Sequence, residues 1–262
     1  MSHGANTARQ FRLDHASIQV PHLAEAVGRL ERLLGLEVTV SPQAPERHGR
    51  IYLDRAYLEV AANPDVPAWE VTHFFLRFSD PTWLRARLDD AGLGYRHQVY
   101  RGVDGRWDDI ELDIADVPVP ILVRRTQPAA VAHNWPPPLD HPHRCGASTL
   151  AAVHVPVTSI QQAADVYARL LAVAVPRVFS GPEPCQRRTA FDLGSGTIVL
   201  SEGDERRAVV LGVASLELSR TVLSQVLPVD DEGVAWLDPS TTSNLRIGLV
   251  ETRAVADPPA GT

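Results

Sequence analysis

The sequence contains no lysine; all 25 of its basic residues are arginine. That excludes a Schiff-base lysine and a phosphate-binding loop of the G-x-x-x-x-G-K type. Cysteine is scarce as well. Cys145 and Cys185 can form at most one bridge and lack the paired spacing of a zinc site, so a reducing, cytoplasmic setting is expected. No apolar run approaches bilayer length, and Met1 to Gln10 lacks the apolar core of a signal peptide. Positive charge is in deficit, with a net −7, which argues against nucleic acid or an anionic membrane as the main partner. What is present is 262 residues, 44% hydrophobic and 22% charged, enough for one large domain or two small ones with real cores.

One stretch returns along the chain. Leu13-Asp14-His15-Ala16-Ser17-Ile18-Gln19-Val20-Pro21 is matched by Val71-Thr72-His73-Phe74-Phe75-Leu76-Arg77-Phe78-Ser79, with His73 on His15. A third pass is Leu150 to Pro156, and a weaker fourth is Val213 to Ser219. Each alternates like a strand and is followed by residues of helical period. The spacing is too long for a solenoid and suits a βαβββ unit. The expected fold is therefore α+β, four tandem βαβββ modules forming two curved mixed-sheet half-barrels.

In chain order, Phe11–Val20 reads as a strand and Leu23–Leu34 as a helix with Leu23, Val27, Leu30 and Leu34 at core spacing, stopped by Gly35. Strands follow at 36–40, 50–53 and 56–61, with a polar loop at 41–49 that holds His48. The second module repeats this order: a strand at 73–78, a helix opened by Pro81, and strands near 95–101, 109–114 and 120–124. Residues 127–147 turn abruptly to Pro, His and Asn and read as a linker. Its histidines 133, 141 and 143 lack ligand spacing and read as polar surface. The third module has its helix at 160–171; the fourth is the most degraded, with a short helix around 220–227. The expected domains are 11–126 (modules 11–62 and 70–126) and 148–253 (modules 148–204 and 206–253).

The strand opening on His15, the helix closing on Leu34-Gly35-Leu36, and Tyr57-Leu58-Glu59-Val60 together resemble the vicinal oxygen chelate superfamily, which includes glyoxalase I, bleomycin resistance proteins and extradiol dioxygenases. More narrowly, the chain resembles glyoxalase-like domain proteins. The residues that carry this are Arg101 to Gly105 with Val119 to Val123, His141-Pro142, and Tyr167-Ala168-Arg169-Leu170-Leu171.

That resemblance implies metal ligands on the first and last strands of paired modules. They map to His15, Glu59 and His73, with apolar Leu122 in the fourth place. Two imidazoles and a carboxylate suit a divalent transition metal (Fe, Mn, Co, Ni or Zn) and leave positions open for substrate. Taken alone, a histidine in an apolar strand is more often a satisfied core residue than a ligand. Glu59 between Leu58 and Val60 is harder to dismiss, since a buried carboxylate needs a partner or a cation. The matching places in the second half, Leu150, Leu200, Val213 and Gly248, hold no ligand, so that half reads as non-catalytic; His154 and Glu202 read as ordinary structure. Leu122 cannot be the proton-moving carboxylate of a glyoxalase-type isomerase, and a three-ligand site is closer to a ring-cleaving dioxygenase. His48 is the candidate acid or base, with Tyr52 and Tyr100 as anchors.

Three functions stay open: a metal-dependent lyase, isomerase or dioxygenase acting on a small oxygen-bearing molecule; a metal-free, drug-sequestering protein with Trp69, Phe74, Phe75, Trp83 and Trp107 along a groove; and a pseudo-enzyme. The expected partners are a small-molecule substrate and, in a homodimer, a second copy of the chain.

Overall fold

The computed structural model describes residues 11–42, 44–102, 105–126, 141, 143–180, 187–203, 206–224 and 227–252. The first half runs β1 (Phe11–Val20), α1 (Leu23–Leu34), β2 (Thr39–Val40), β3 (His48–Leu53) and β4 (Ala56–Ala62). It repeats as β5 (Glu70–Phe78), α2 (Pro81–Asp90), β6 (Tyr95–Gly102), β7 (Gly105–Leu112) and β8 (Ile121–Thr126). The second half runs β9 (Ala147–Val157), α3 (Ile160–Leu171), β10 (Phe179–Ser180), β11 (Arg187–Asp192) and β12 (Thr197–Glu202). It ends with β13 (Ala208–Val213), α4 (Leu216–Leu223), β14 (Val234–Trp236) and β15 (Arg246–Glu251).

The strands form two mixed sheets, in the orders β2-β3-β4-β1-β5-β8-β7-β6 and β10-β11-β12-β9-β13-β15-β14. Each has the same centre. The first strands of its two modules run antiparallel, β1 with β5 and β9 with β13, and each is flanked by the last strand of its own module in parallel. This is the α+β, paired-module architecture the repeat predicts. Among the described residues the fourth module has two strands after its helix, where the others have three.

Helices form where apolar residues recur every three or four positions. In α1, Leu23, Ala26, Leu30 and Leu34 are buried, each leucine contributing about 1.5–3 kcal/mol. The helix stops at Gly35 in the left-handed region (φ 62°), with the Leu36 amide donating to the Leu30 carbonyl at 3.0 Å. A Cβ at Gly35 would also press on the backbone nitrogen of Cys145 at 3.1 Å, so the linker's end crosses there. Asp80 caps α2, accepting from the Thr82 and Trp83 amides, and Ser159 and Ser215 cap α3 and α4.

Alternation assigns the two faces of the first sheet. Phe11, Leu13, Ala16, Ile18 and Val20 are buried with Leu58, Val60, Phe74, Leu76 and Phe78 in the helix-side core. His15, Ser17 and Gln19 point to the opposite, inner face. Leu13 and Ala16 share a side despite odd spacing because a bulge between Leu13 and His15 inserts one residue, Asp14.

The halves are tied by direct bonds. The Tyr167 hydroxyl donates to the Pro118 carbonyl at 2.8 Å, and the Asp54 amide to the Ser148 carbonyl at 2.7 Å. His143 is no surface residue: it is 3% exposed, accepts from the Glu37 amide at 3.0 Å and donates to the Tyr52 carbonyl at 2.8 Å. His133 and Cys185 lie outside the described residues.

Several expectations are corrected. The fourth strand repeat is Ala208–Val213, and residues 216–223, expected partly as strand, are helix. Leu122 pairs with Leu76 and is fully buried on the helix side; the fourth place belongs to Ile121, opposite Phe75. In the second sheet the bulge falls at Ala151, so the counterparts of His15, Glu59 and His73 are Ala152, Val199 and Ala208. Leu150, Leu200 and Val213 face the helices instead.

Candidate functional site

Two rows of cross-strand neighbours build the inner face of the first sheet. One runs Arg50, Glu59, Ser17, His73 across β3, β4, β1 and β5. The next runs Tyr52, Tyr57, His15, Phe75, Ile121 and reaches β8. His15 and His73 are thus diagonal neighbours on antiparallel strands, a relationship that sets Cα atoms about 7–8 Å apart. Glu59 stands opposite Ser17 on the other flank. Three residues distant in sequence share one face around a single serine.

Each side chain is held by its neighbours. The His15 ring is sandwiched between Tyr57 (centroids 4.4 Å apart, planes 9° apart) and Phe75 (3.8 Å, 11°). Its Nδ1 lies 2.9 Å from Asp14 Oδ2, and Asp14, 1% exposed, is ion-paired with Arg77. Among the described residues nothing bonds to Nε2 of His15. A carboxylate on one imidazole nitrogen fixes the tautomer and orientation of the ring. The Ser17 hydroxyl donates to Glu59 Oε2 at 2.7 Å. Desolvation, then the Arg207 guanidinium, hold His73 below the ordinary imidazole value, against the opposing pull of Glu111, Glu59 and Glu70. His73 is therefore neutral near pH 7, the form that can offer a lone pair.

In kind and in facing, this donor set fits a divalent metal. In convergence it does not: among the described residues no three His, Cys, Asp or Glu side chains approach closely enough to hold an ion. Glu59 is instead turned onto the Ser17 hydroxyl.

Two acidic residues of β7 face the same space and escaped the sequence reading. Asp109 pairs with Val123, which pairs with Arg77, an inner-face position. Glu111, two residues on, shares that face, ion-paired with Arg96 at 3.2 Å and bonded by Gln98 at 3.3 Å. Asp109 Oδ1 is buried, with no hydrogen-bond partner among the described residues. Burial is the main cause that pushes the Asp109 carboxyl up to about 6; His15 opposes the shift, and Glu111, Asp108 and Asp14 add to it. A flat sheet would keep β7 about 14 Å from β1, three strand spacings away. His15 acts electrostatically on Asp109 across the two intervening strands. The clue in the sequence was the i, i+2 pair Asp109 and Glu111 in a strand.

His48 opens β3 rather than lying in a loop, opposite Ala61 and one row beyond Glu59, its Nδ1 buried without a hydrogen bond to any described residue. Tyr52 shares the row of His15 but sits behind Tyr57, ring centroids 6.4 Å apart. Tyr100 pairs with Trp107 at the far edge of the sheet. Of the expected groove aromatics, Phe75 faces the inner side; Phe74 is buried among the helix-side residues, and Trp83 packs on Phe11 with centroids 5.6 Å apart.

A family profile described as "Glyoxalase-like domain" matches residues 13–171. A search of curated sequences returns no match. Among solved structures, the chain is similar to BphC, a halotolerant catechol dioxygenase (TM-score 0.63, 12% identity, covering 92% of this chain and 86% of that one). It is similar to the 2,3-dioxygenase LapB from Pseudomonas sp. KL28 (TM-score 0.60, 14% identity, 92% of each chain). A third is the Mn(II)-bound glyoxalase from Novosphingobium aromaticivorans (TM-score 0.61, 11% identity, 92% and 81%). At these identities the likeness is one of fold.

Proposed function

Because the chain belongs to the glyoxalase-like domain family, within the vicinal oxygen chelate superfamily, we propose that it is an enzyme acting on a small oxygen-bearing organic molecule at the inner face of its first sheet. His15, Glu59 and His73 would hold a divalent transition metal there, which when bound acts as a Lewis acid toward substrate oxygens. The observation that supports this reading most is the register that sets these three donors around Ser17 on one face.

The chain's own residues divide the remaining work. Asp14 orients His15 and leaves Nε2 as its free nitrogen. Ser17 holds Glu59 until that carboxylate is needed as a ligand. Tyr57 and Phe75 wall the imidazole and exclude water from its faces. Asp109, whose carboxyl is pushed up to about 6 by burial, would take or hold a substrate proton near neutral pH.

Elemental analysis of the purified protein tests this. Stoichiometric Fe, Mn, Co, Ni or Zn that is lost in His15→Ala supports the reading; a folded protein that takes up none of the five sinks it. The second reading, a metal-free binding or acid–base protein, is favoured by the Ser17–Glu59 bond and by the lack of convergence among the donors. It would gain from the same negative result.

A further inference from the structure

Leu13 stands just before the residues of the candidate site, and its amide is answered from the other half of the chain. β4 pairs with β1 only from His15 onward, and the Leu13 N–H donates to the Ser195 hydroxyl oxygen at 3.2 Å, 182 residues away. Ser195 and Gly196 lie in the turn between β11 and β12. We infer that this turn of the second half is a positioning element for the first: it holds the β1 bulge in the shape that brings Asp14 against His15.

The turn is shaped for this contact. Gly196 sits at φ 152°, and a Cβ there would lie 2.5 Å from Leu13 Cδ1 and 2.9 Å from the Leu150 carbonyl oxygen. Glycine lets the turn come this close. The Leu193 amide donates to the Gly196 carbonyl at 3.0 Å and the Gly194 amide to the Asp192 carboxylate at 2.7 Å, so the hairpin that presents Ser195 is itself fixed. The contact falls beside the bulge, where the register of β1 on β5 shifts between Leu13 and His15. A bulge disrupts the ladder locally and bends its strand, so a partner from outside the sheet sets how far the strand bends. Asp14, the inserted residue, meets His15 Nδ1 at 2.9 Å and Arg77. A displacement of Leu13 passes one residue along the chain to Asp14, and from its carboxylate to the imidazole whose tautomer that contact fixes.

The first half returns the contact. Asp54, in the turn between β3 and β4, donates its amide to the Ser148 carbonyl of β9 at 2.7 Å. The corresponding hairpin turn of each half thus rests on the first strand of the other. β9 has its own bulge at Ala151, but alanine there offers no carboxylate, so of the two braces it is the one on β1 that has a side chain to steer. The value of this brace to catalysis rests on the function proposed above; the positioning itself requires no metal.

The test is nitrogen-15 NMR of the histidine rings in the full chain treated with EDTA, His15 being assigned from its loss in His15→Gln. Ser195→Ala and Gly196→Ala should each shift the His15 tautomer ratio about threefold or more toward the Nε2–H form. Ser195→Thr, which keeps the hydroxyl, should leave the ratio as in the wild type. His143 is the internal control: held by the Glu37 amide and the Tyr52 carbonyl, it should keep its ring signals throughout. Ser195 is exposed, so Ser195→Ala decides the matter even where the strained Gly196→Ala does not fold. An unchanged His15 ratio in Ser195→Ala, or His143 signals that move together with those of His15, would overturn the inference. Metal uptake plays no part in this readout. A chain that takes up no metal sinks the ligand set and leaves the brace standing; an unmoved His15 ring does the reverse.

Discussion

Asp14 and His15 are consecutive in the chain, yet their side chains meet on one side of β1, carboxylate to Nδ1 at 2.9 Å. Strand alternation would send them to opposite faces; the bulge cancels it. Asp14→Asn keeps the shape and removes the charge shared with His15 and Arg77. The expected loss is about 2 kcal/mol in urea denaturation, with metal affinity reduced about 10–100-fold. An unchanged affinity would mean that Asp14 is only structural.

Ser17→Ala takes from Glu59 the hydroxyl that holds it. Stability should fall by about 1–2 kcal/mol, while metal titration should show tighter binding, because Glu59 no longer exchanges one partner for another. Weaker binding in this variant would show that Ser17 supports the ligand set rather than competing for it.

Asp109 supplies a pH test. Its folded value, about 6, lies above the ordinary 3.8, so the folded state binds this proton more tightly than the unfolded chain does. Its contribution is full below about pH 4 and is lost as pH rises through about 6. Asp109→Asn, which mimics the neutral form, should be more stable than wild type above pH 6, with the difference shrinking toward pH 4. Denaturation midpoints across that window check it; a constant difference would show that the carboxyl titrates normally.

His143 runs the other way. Burial lowers its pKa from 6.5, and its Nδ1 must stay unprotonated to accept from the Glu37 amide. This stabilisation is present above pH 6.5 and disappears as pH falls through the lowered value. His143→Ala should cost about 1–2 kcal/mol at alkaline pH and progressively less in acid, read from paired melts.

The repeat was legible because β1 and β5 carry the same alternation with a histidine in the same phase; Glu59 joined the set through the family resemblance, and the register of β4 on β1 sets it opposite Ser17. Leu122 was misassigned by one residue because a pleat reverses with every step, so a single slip moves a side chain to the opposite face. Asp14 was invisible as a partner because a bulge leaves no mark in hydrophobic pattern. Asp109 and Glu111 were missed because only the sheet order and register put them on the face that carries His15.

The sequence by itself determined the α+β class, the paired modules and the helices, since these follow from local periodicity and its repetition, while the shared face of the three donors was an expectation drawn from the family resemblance. The tertiary structure alone decided that Glu59 bonds Ser17, that Asp14 braces His15, and that Asp109 shares their sheet face from β7. Those facts depend on bulge position, sheet order and register, which bring together residues that no local pattern relates.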